Sequence, residues 1–166
     1  MTMTSRLFRL ALLVVALSGC AGPPYNNLDN EQLKAMLEQG TPIYDIRRPE
    51  EWRQTGVIAD SQLLTFVDDS GRVLPDFMRR FTSAVGKDDP VVLICQTGSR
   101  TSTLARYLVE QLGYTKVYNV RDGITRWIRD GRPVAGKRIS IDSQSVDPAA
   151  RGLNHVEHAT KIAVLS

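Results

Sequence analysis

Cys20 and Cys95 are the only thiols in the 166-residue chain, and their surroundings suit different chemistries. Cys95 follows the apolar run Val91-Val92-Leu93-Ile94 and precedes Gln96-Thr97-Gly98-Ser99-Arg100. Beyond it, Leu104, Ala105, Leu108, Val109 and Leu112 recur at helical spacing. The pattern predicts a buried parallel strand, a tight bend carrying the cysteine, and a helix. Such a bend leaves successive backbone N–H groups without partners and aims them inward. Gly98 lets it curl, while Arg100 and the positive end of the helix favour the thiolate, which is the nucleophilic form. A free cysteine also packs as a small hydrophobe at strand ends. The Gly, Ser and Arg at these offsets favour the catalytic reading.

The elements that must position this bend can be read around it. Asp29 caps a helix with Gln32 at the reciprocal position, Leu33, Met36 and Leu37 on one face, and Gly40 just past its end. Pro42 to Ile46 reads as a short buried strand that delivers Asp45 and Arg47 at its carboxyl end. Ser61 to Phe66 reads as a further strand, Asp68 to Arg72 as a polar turn, and Pro75 to Val85 as a helix with Phe77, Met78, Phe81 and Val85 inward. Then follow a strand over Pro90 to Cys95, a helix over Ser99 to Leu112 with Gly113 as its cap, a strand over Lys116 to Val120, and a helix over Gly123 to Arg129. This alternation predicts an α/β fold with a mostly parallel sheet of about five strands and helices on both faces. Trp52 and Trp127 are expected to serve packing.

The segment Cys95 to Arg100 resembles the active-site loop of the rhodanese family, the sulfurtransferases. Tyr44-Asp45-Ile46-Arg47-Arg48-Pro49-Glu50-Glu51-Trp52 is similar to that family's Asp-x-Arg-x-Pro-Glu-Glu-aromatic block, and Val117 to Trp127 to its closing Gly-containing, Trp-ending block. The likeness runs from about Leu28 to Val134, and Gly131-Arg132-Pro133-Val134 fits it too. Three motifs in the family's order are far more specific than one. The family's Gly-His-Ile reads Gly56-Val57-Ile58 here, so its histidine is missing.

The resemblance implies a rhodanese-like domain and a double displacement. Cys95 takes the outer sulfur of a donor such as thiosulfate, holds it as a persulfide within the loop Gln96, Thr97, Gly98 and Ser99, and passes it to a thiophilic acceptor such as a thiol or a thioredoxin-like protein. Arg100 would stabilise an anionic donor and leaving group, and the Thr97 and Ser99 hydroxyls would add hydrogen bonds. Gln96 is neutral where many thiosulfate-using members are cationic. Asp45 and Arg47 are implied as structural supports of the site; for Arg47 the alternative is a surface ion pair with Glu50 or Glu51. No cofactor is implied. Four residues separate Cys95 from Arg100, whereas Cys-dependent phosphatases carry five, giving a wider ring suited to phosphate. A phosphatase or arsenate reductase is therefore disfavoured, and the absence of a resolving cysteine weighs against it as well. A catalytically silent docking module at the cell envelope is the remaining alternative.

Cys20 belongs to another motif. Arg6 and Arg9 precede the apolar run from Leu10 to Leu17, too short for a spanning helix of about 20 residues but suited to a signal segment. Leu17-Ser18-Gly19-Cys20 resembles the bacterial lipoprotein box. The implied organisation is a signal peptide over 1–19 that is removed, an acylated Cys20 with a tether of turn formers over 20–27, a domain over 28–136, and a C-terminal extension over 137–166. A lipid-anchored, periplasm-facing protein is expected, on the outer membrane rather than the inner because Ala21 replaces the retention Asp. Cys95 would then be the sole thiol of the mature chain, excluding an internal disulfide.

Composition agrees with one ordinary domain: 42% hydrophobic and 23% charged residues. The net charge is +3, and removal of 1–19 takes away Arg6 and Arg9 without any acid, leaving +1. That balance supplies no basic field for nucleic acid. In the extension, Lys137 to Ile141 alternates like an edge strand, and His155 with His158 is too small a set for a metal site.

Overall fold

The computed structural model describes residues 22–136. Five strands, β1 (Asn26–Leu28), β2 (Ile43–Asp45), β3 (Gln62–Leu63), β4 (Val91–Ile94) and β5 (Val117–Val120), alternate with five helices. These are α1 (Asn30–Glu38), α2 (Pro49–Thr55), α3 (Phe77–Ala84), α4 (Ser99–Leu112) and α5 (Gly123–Arg129). The strands form one sheet in the order β1-β5-β4-β2-β3, with every pairing parallel. The expected α/β architecture is therefore present.

β4 is fully buried because both faces of the sheet are covered, and its side chains alternate between two cores. Val91 and Leu93 join Phe77, Phe81, Leu104 and Leu108 under α3 and α4. Val92 and Ile94 join Leu33, Ile124 and Trp127 under α1 and α5. Tyr44 meets Phe81 edge-on at 5.2 Å between ring centroids, and Phe66 meets Phe77 at 4.8 Å, which fixes α3 on its face. Trp127 is buried and donates from its indole N–H to the Pro133 carbonyl at 2.9 Å, in keeping with a packing role.

Several boundaries differ from the sequence reading. Residues 26 and 27 are not tether: with Leu28 they form β1, whose hydrogen bonds to β5 outweigh the turn preference of two asparagines. Asn119 in β5 also donates to the Asn27 side chain at 2.8 Å. The folded unit thus starts before Leu28, and the Tyr25 hydroxyl donates to Ser102 at 2.9 Å. The expected strand from Ser61 to Phe66 shrinks to two residues, after which the chain turns inward with Leu64 and Phe66 buried. Helix α2 was not foreseen. Pro49 at its first turn, with Glu50 and Glu51 behind it, is a start signal hidden in a short polar stretch. Cys20, the signal segment, the strand expected at 137–141 and both histidines lie outside the described residues. Among the described residues no helix is long and apolar enough to cross a membrane.

Candidate active site

Sheet order decides where a site forms. From β2 the chain moves outward to β3, then returns across β2 to β4 and continues to β5, so the winding reverses between β2 and β4. Crevices in open α/β sheets lie at the carboxyl ends of strands at such a reversal. Asp45 ends β2 there, and Cys95 follows β4 there.

Cys95 is a free thiol and only 1% exposed. Its loop is oriented by the start of α5. The Ile124 N–H donates to the Cys95 carbonyl at 2.9 Å, and Thr125 donates to the Gln96 carbonyl from its N–H at 3.1 Å and its hydroxyl at 2.8 Å. All peptides among the described residues are trans. A carbonyl turned toward α5 therefore turns the next N–H, that of Gln96 or Thr97, the opposite way. None of the N–H groups of residues 96 to 101 donates to a backbone acceptor among the described residues. The loop that follows the buried thiol thus carries a run of N–H donors with no hydrogen bond among the described residues, an arrangement suited to an anionic or polarised ligand.

Two glycines make this approach feasible. Gly98 has φ +87°, and a Cβ there would stand 1.8 Å from the Arg121 carbonyl oxygen. Gly123 has φ +60°, and its Cβ would stand 2.5 Å from the Cys95 carbonyl oxygen. Only glycine satisfies both the left-handed backbone and the close approach.

The remaining predicted loop residues divide by exposure. Thr97 and Ser99 are exposed and Gln96 is half-buried, with a side-chain oxygen that accepts no hydrogen bond among the described residues. The hydroxyl nearest the sulfur belongs to neither Thr97 nor Ser99. It is that of buried Thr101, whose Oγ1 is 3.4 Å from Cys95 Sγ and donates to the Gly98 carbonyl at 3.0 Å. With the hydroxyl proton engaged on Gly98, the thiol proton faces Thr101; once the thiol ionises, the hydroxyl is free to turn toward sulfur. Thr101 was missed because it reads as one more residue of the helix.

Arg100 is held by Glu51. The guanidinium donates to the two carboxylate oxygens at 2.8 and 2.5 Å, with Arg100 at 25% and Glu51 at 13% side-chain exposure. Burial alone would raise the Glu51 pKa, but the hydrogen bond from Arg100, the Arg48 N–H and both guanidinium charges hold it below the usual glutamate value. The hydrogen bond with Glu51 raises Arg100, helped by its charge and those of Cys95 and Asp45 against the opposing effect of burial. The sequence singled out Glu51 only as part of a motif, since a partner 49 residues away leaves no local signal.

Asp45 and Arg47 pair with each other, both wholly buried, at 2.6 Å. This overturns a surface ion pair of Arg47 with Glu50 or Glu51: the short β2 strand buries both side chains, and Asp45 is the carboxylate within reach. Arg47 also donates to Thr55 Oγ1 at 2.7 Å and to the Gly56 carbonyl at 2.8 Å, fixing the carboxyl end of α2, where a cation is favoured. Asp45 and Arg47 thus seat the helix that carries Glu51, which in turn holds Arg100.

The sequence from 29 to 130 matches the family described as the rhodanese-like domain. A sulfurtransferase of Allochromatium vinosum is 35% identical over 66% of this chain and 94% of its own length. The thiosulfate sulfurtransferase GlpE of Pseudomonas fluorescens is 29% identical over 62% of this chain and 84% of its own. The crystal structure of a rhodanese-related protein from Thermoplasma volcanium is similar with a TM-score of 0.52 and 26% identity, over 68% of this chain and 99% of its own.

Proposed function

Because this chain belongs to the rhodanese family, we propose that it is a sulfurtransferase working through a persulfide on Cys95, with named sulfurtransferases among its relatives in support. The observation that carries this reading is the run of N–H groups at residues 96 to 101, without hydrogen bonds among the described residues, directly after a buried thiol. The Cys95 thiolate attacks the outer sulfur of the donor, the donor's S–S bond breaks, and the leaving group departs with the electron pair. The loop N–H groups stabilise charge on the bound outer sulfur. An acceptor thiol then attacks that sulfur and regenerates the Cys95 thiolate. A phosphatase reading is disfavoured by the four-residue spacing to Arg100.

The proposed setting is the cell envelope, with the chain anchored in the bilayer through acylated Cys20 and facing the periplasm, on the outer membrane. The supporting sequence is Leu17-Ser18-Gly19-Cys20 after a short apolar run. No nucleic-acid partner is proposed.

The test uses the full chain in mild detergent. It is exposed to thiosulfate or to a hydropersulfide, its intact mass is recorded, and cyanide is added with thiocyanate assayed, alongside Cys95→Ser. A gain of one sulfur that cyanide removes, and that the variant lacks, is the expected result. No gain with either donor would favour the docking module. A docking module would also keep its cellular phenotype in Cys95→Ser.

A further inference from the structure

The mouth of the site is poor in free positive charge. Arg100 is the one cation of the loop, and Glu51 occupies it with both oxygens. Arg48, on the same rim, is shared among Glu50 at 2.7 Å, Asp69 at 3.2 Å and Glu51 at 3.5 Å. Around Arg100 and Arg48 the carboxylates therefore outnumber the guanidinium groups. Arg47 adds nothing, because Asp45 neutralises it in the interior. Arg121 approaches Gly98 through its backbone carbonyl, and its side chain lines a polar cleft in which three arginines, Arg121, Arg126 and Arg132, are offset by Asp29, Glu31, Asp122 and Asp130.

Beside this neutralised mouth the surface turns apolar. One helical turn past Arg100, a groove of about 300 Å³ is lined by Phe66, Val73, Met78, Thr103, Leu104 and Tyr107. Val73 and Tyr107 are two of the three large hydrophobic residues exposed on the described surface, at 51% and 47%. Thr103 and Tyr107 follow Arg100 at helical spacing, so the groove continues along the face of α4 that bears the loop arginine.

Thiosulfate is a dianion that must approach the Cys95 thiolate and whose transfer leaves sulfite beside an anionic persulfide, and a site for it needs cations to spare. An organic hydropersulfide needs fewer: its leaving group is a single thiolate and its carbon body gains from apolar contact. Resting on the sulfurtransferase reading, we infer that Glu51 is a specificity-determining residue: by occupying Arg100 it turns the site away from thiosulfate and toward the hydropersulfide of an uncharged organic thiol. In that step the Cys95 thiolate bonds to the terminal sulfur of R–S–SH and the donor's S–S bond breaks. The thiol leaves as RS⁻ with the electron pair, and the proton stays on the transferred sulfur. The Cys95 thiolate becomes the hydropersulfide Cys95–S–SH as the donor thiolate is released; one S–S bond replaces another and charge balances, so no oxidant or reductant is required.

The second-order rate of sulfur loading onto the full chain, read by quenched intact mass, tests this with thiosulfate and with 2-hydroxyethyl hydropersulfide generated in situ. The hydropersulfide should load at least about tenfold faster. The thiosulfate rate should be flat or rise with added salt, because screening relieves repulsion where no net positive field exists. In Glu51→Gln, which frees the Arg100 charge, the ratio of rates should move toward thiosulfate by about tenfold. Thiosulfate loading that equals or exceeds the hydropersulfide rate and falls steeply with salt would overturn the inference while leaving sulfur transfer intact. The salt dependence of the unaltered chain decides the matter if Glu51→Gln fails to fold. Failure of both donors to add sulfur to Cys95 would instead remove the sulfurtransferase reading, and the inference with it.

Discussion

Glu51 on α2 and Arg100 at the start of α4 are joined by two hydrogen bonds across 49 residues, and this pair stitches the helix after β2 to the loop after β4. The folded Glu51 titrates below its ordinary value, so the contribution of the pair to stability is present above that value and is lost as pH falls through the lowered folded one. The stability difference between the unaltered chain and Glu51→Gln should be full near neutrality and shrink below about pH 4. Asp68, Asp76 and Asp130 are also lowered, and they remain in both chains as a shared background. Urea denaturation across pH checks it; a difference that grew on acidification would contradict the assignment.

Asp45→Ala should be among the most damaging single changes to stability. It strands the wholly buried Arg47 guanidinium, at a cost of about 3–5 kcal/mol. Adding Arg47→Leu should recover much of the loss, because the buried charge goes with its partner. The urea midpoints of the two variants give the comparison.

Gly98→Ala forces a side chain into φ +87° and against the Arg121 carbonyl. The backbone conformation alone costs about 1–3 kcal/mol. Because the clash also displaces the loop donors, the sulfur-loading rate should fall by about a hundredfold or more, out of proportion to the stability loss. Equal loading in a destabilised variant would show that these donors do not hold the sulfur.

Thr101→Val removes the hydroxyl 3.4 Å from Sγ while keeping the volume, whereas Thr101→Ser keeps the hydroxyl. The valine variant should load sulfur about tenfold more slowly, the value of roughly one hydrogen bond to a charged group, and serine should restore most of the rate. Rescue by serine separates this from simple repacking, because Thr101→Ser returns the hydroxyl without the methyl group that packing would need.

Much of this architecture was legible in the chain because the signals are local. The β4 run, the Gly98 bend and the period of α4 identify a strand, a nucleophile turn and a helix within a few residues of Cys95. The Asp29 and Gln32 pair forms the expected capping box. What escaped is what depends on distant partners. β1 exists through its pairing with β5, and two asparagines give no hint of it. Glu51 reads as one member of a motif, and Thr101 as an ordinary helix residue, until the fold sets them beside Arg100 and Cys95. Arg47 reads equally as a surface cation, and only the burial of β2 decides otherwise.

β1 pairs parallel to β5, so its amino end enters the sheet at the pole opposite the one where β4 delivers Cys95. Ala21 to Tyr25 alone separate Cys20 from β1, a span of at most about 18 Å when extended. A lipid on Cys20 would therefore hold the domain close against the bilayer with its reactive thiol turned outward. Its donors and acceptors would then arrive from the aqueous compartment rather than laterally through the lipid.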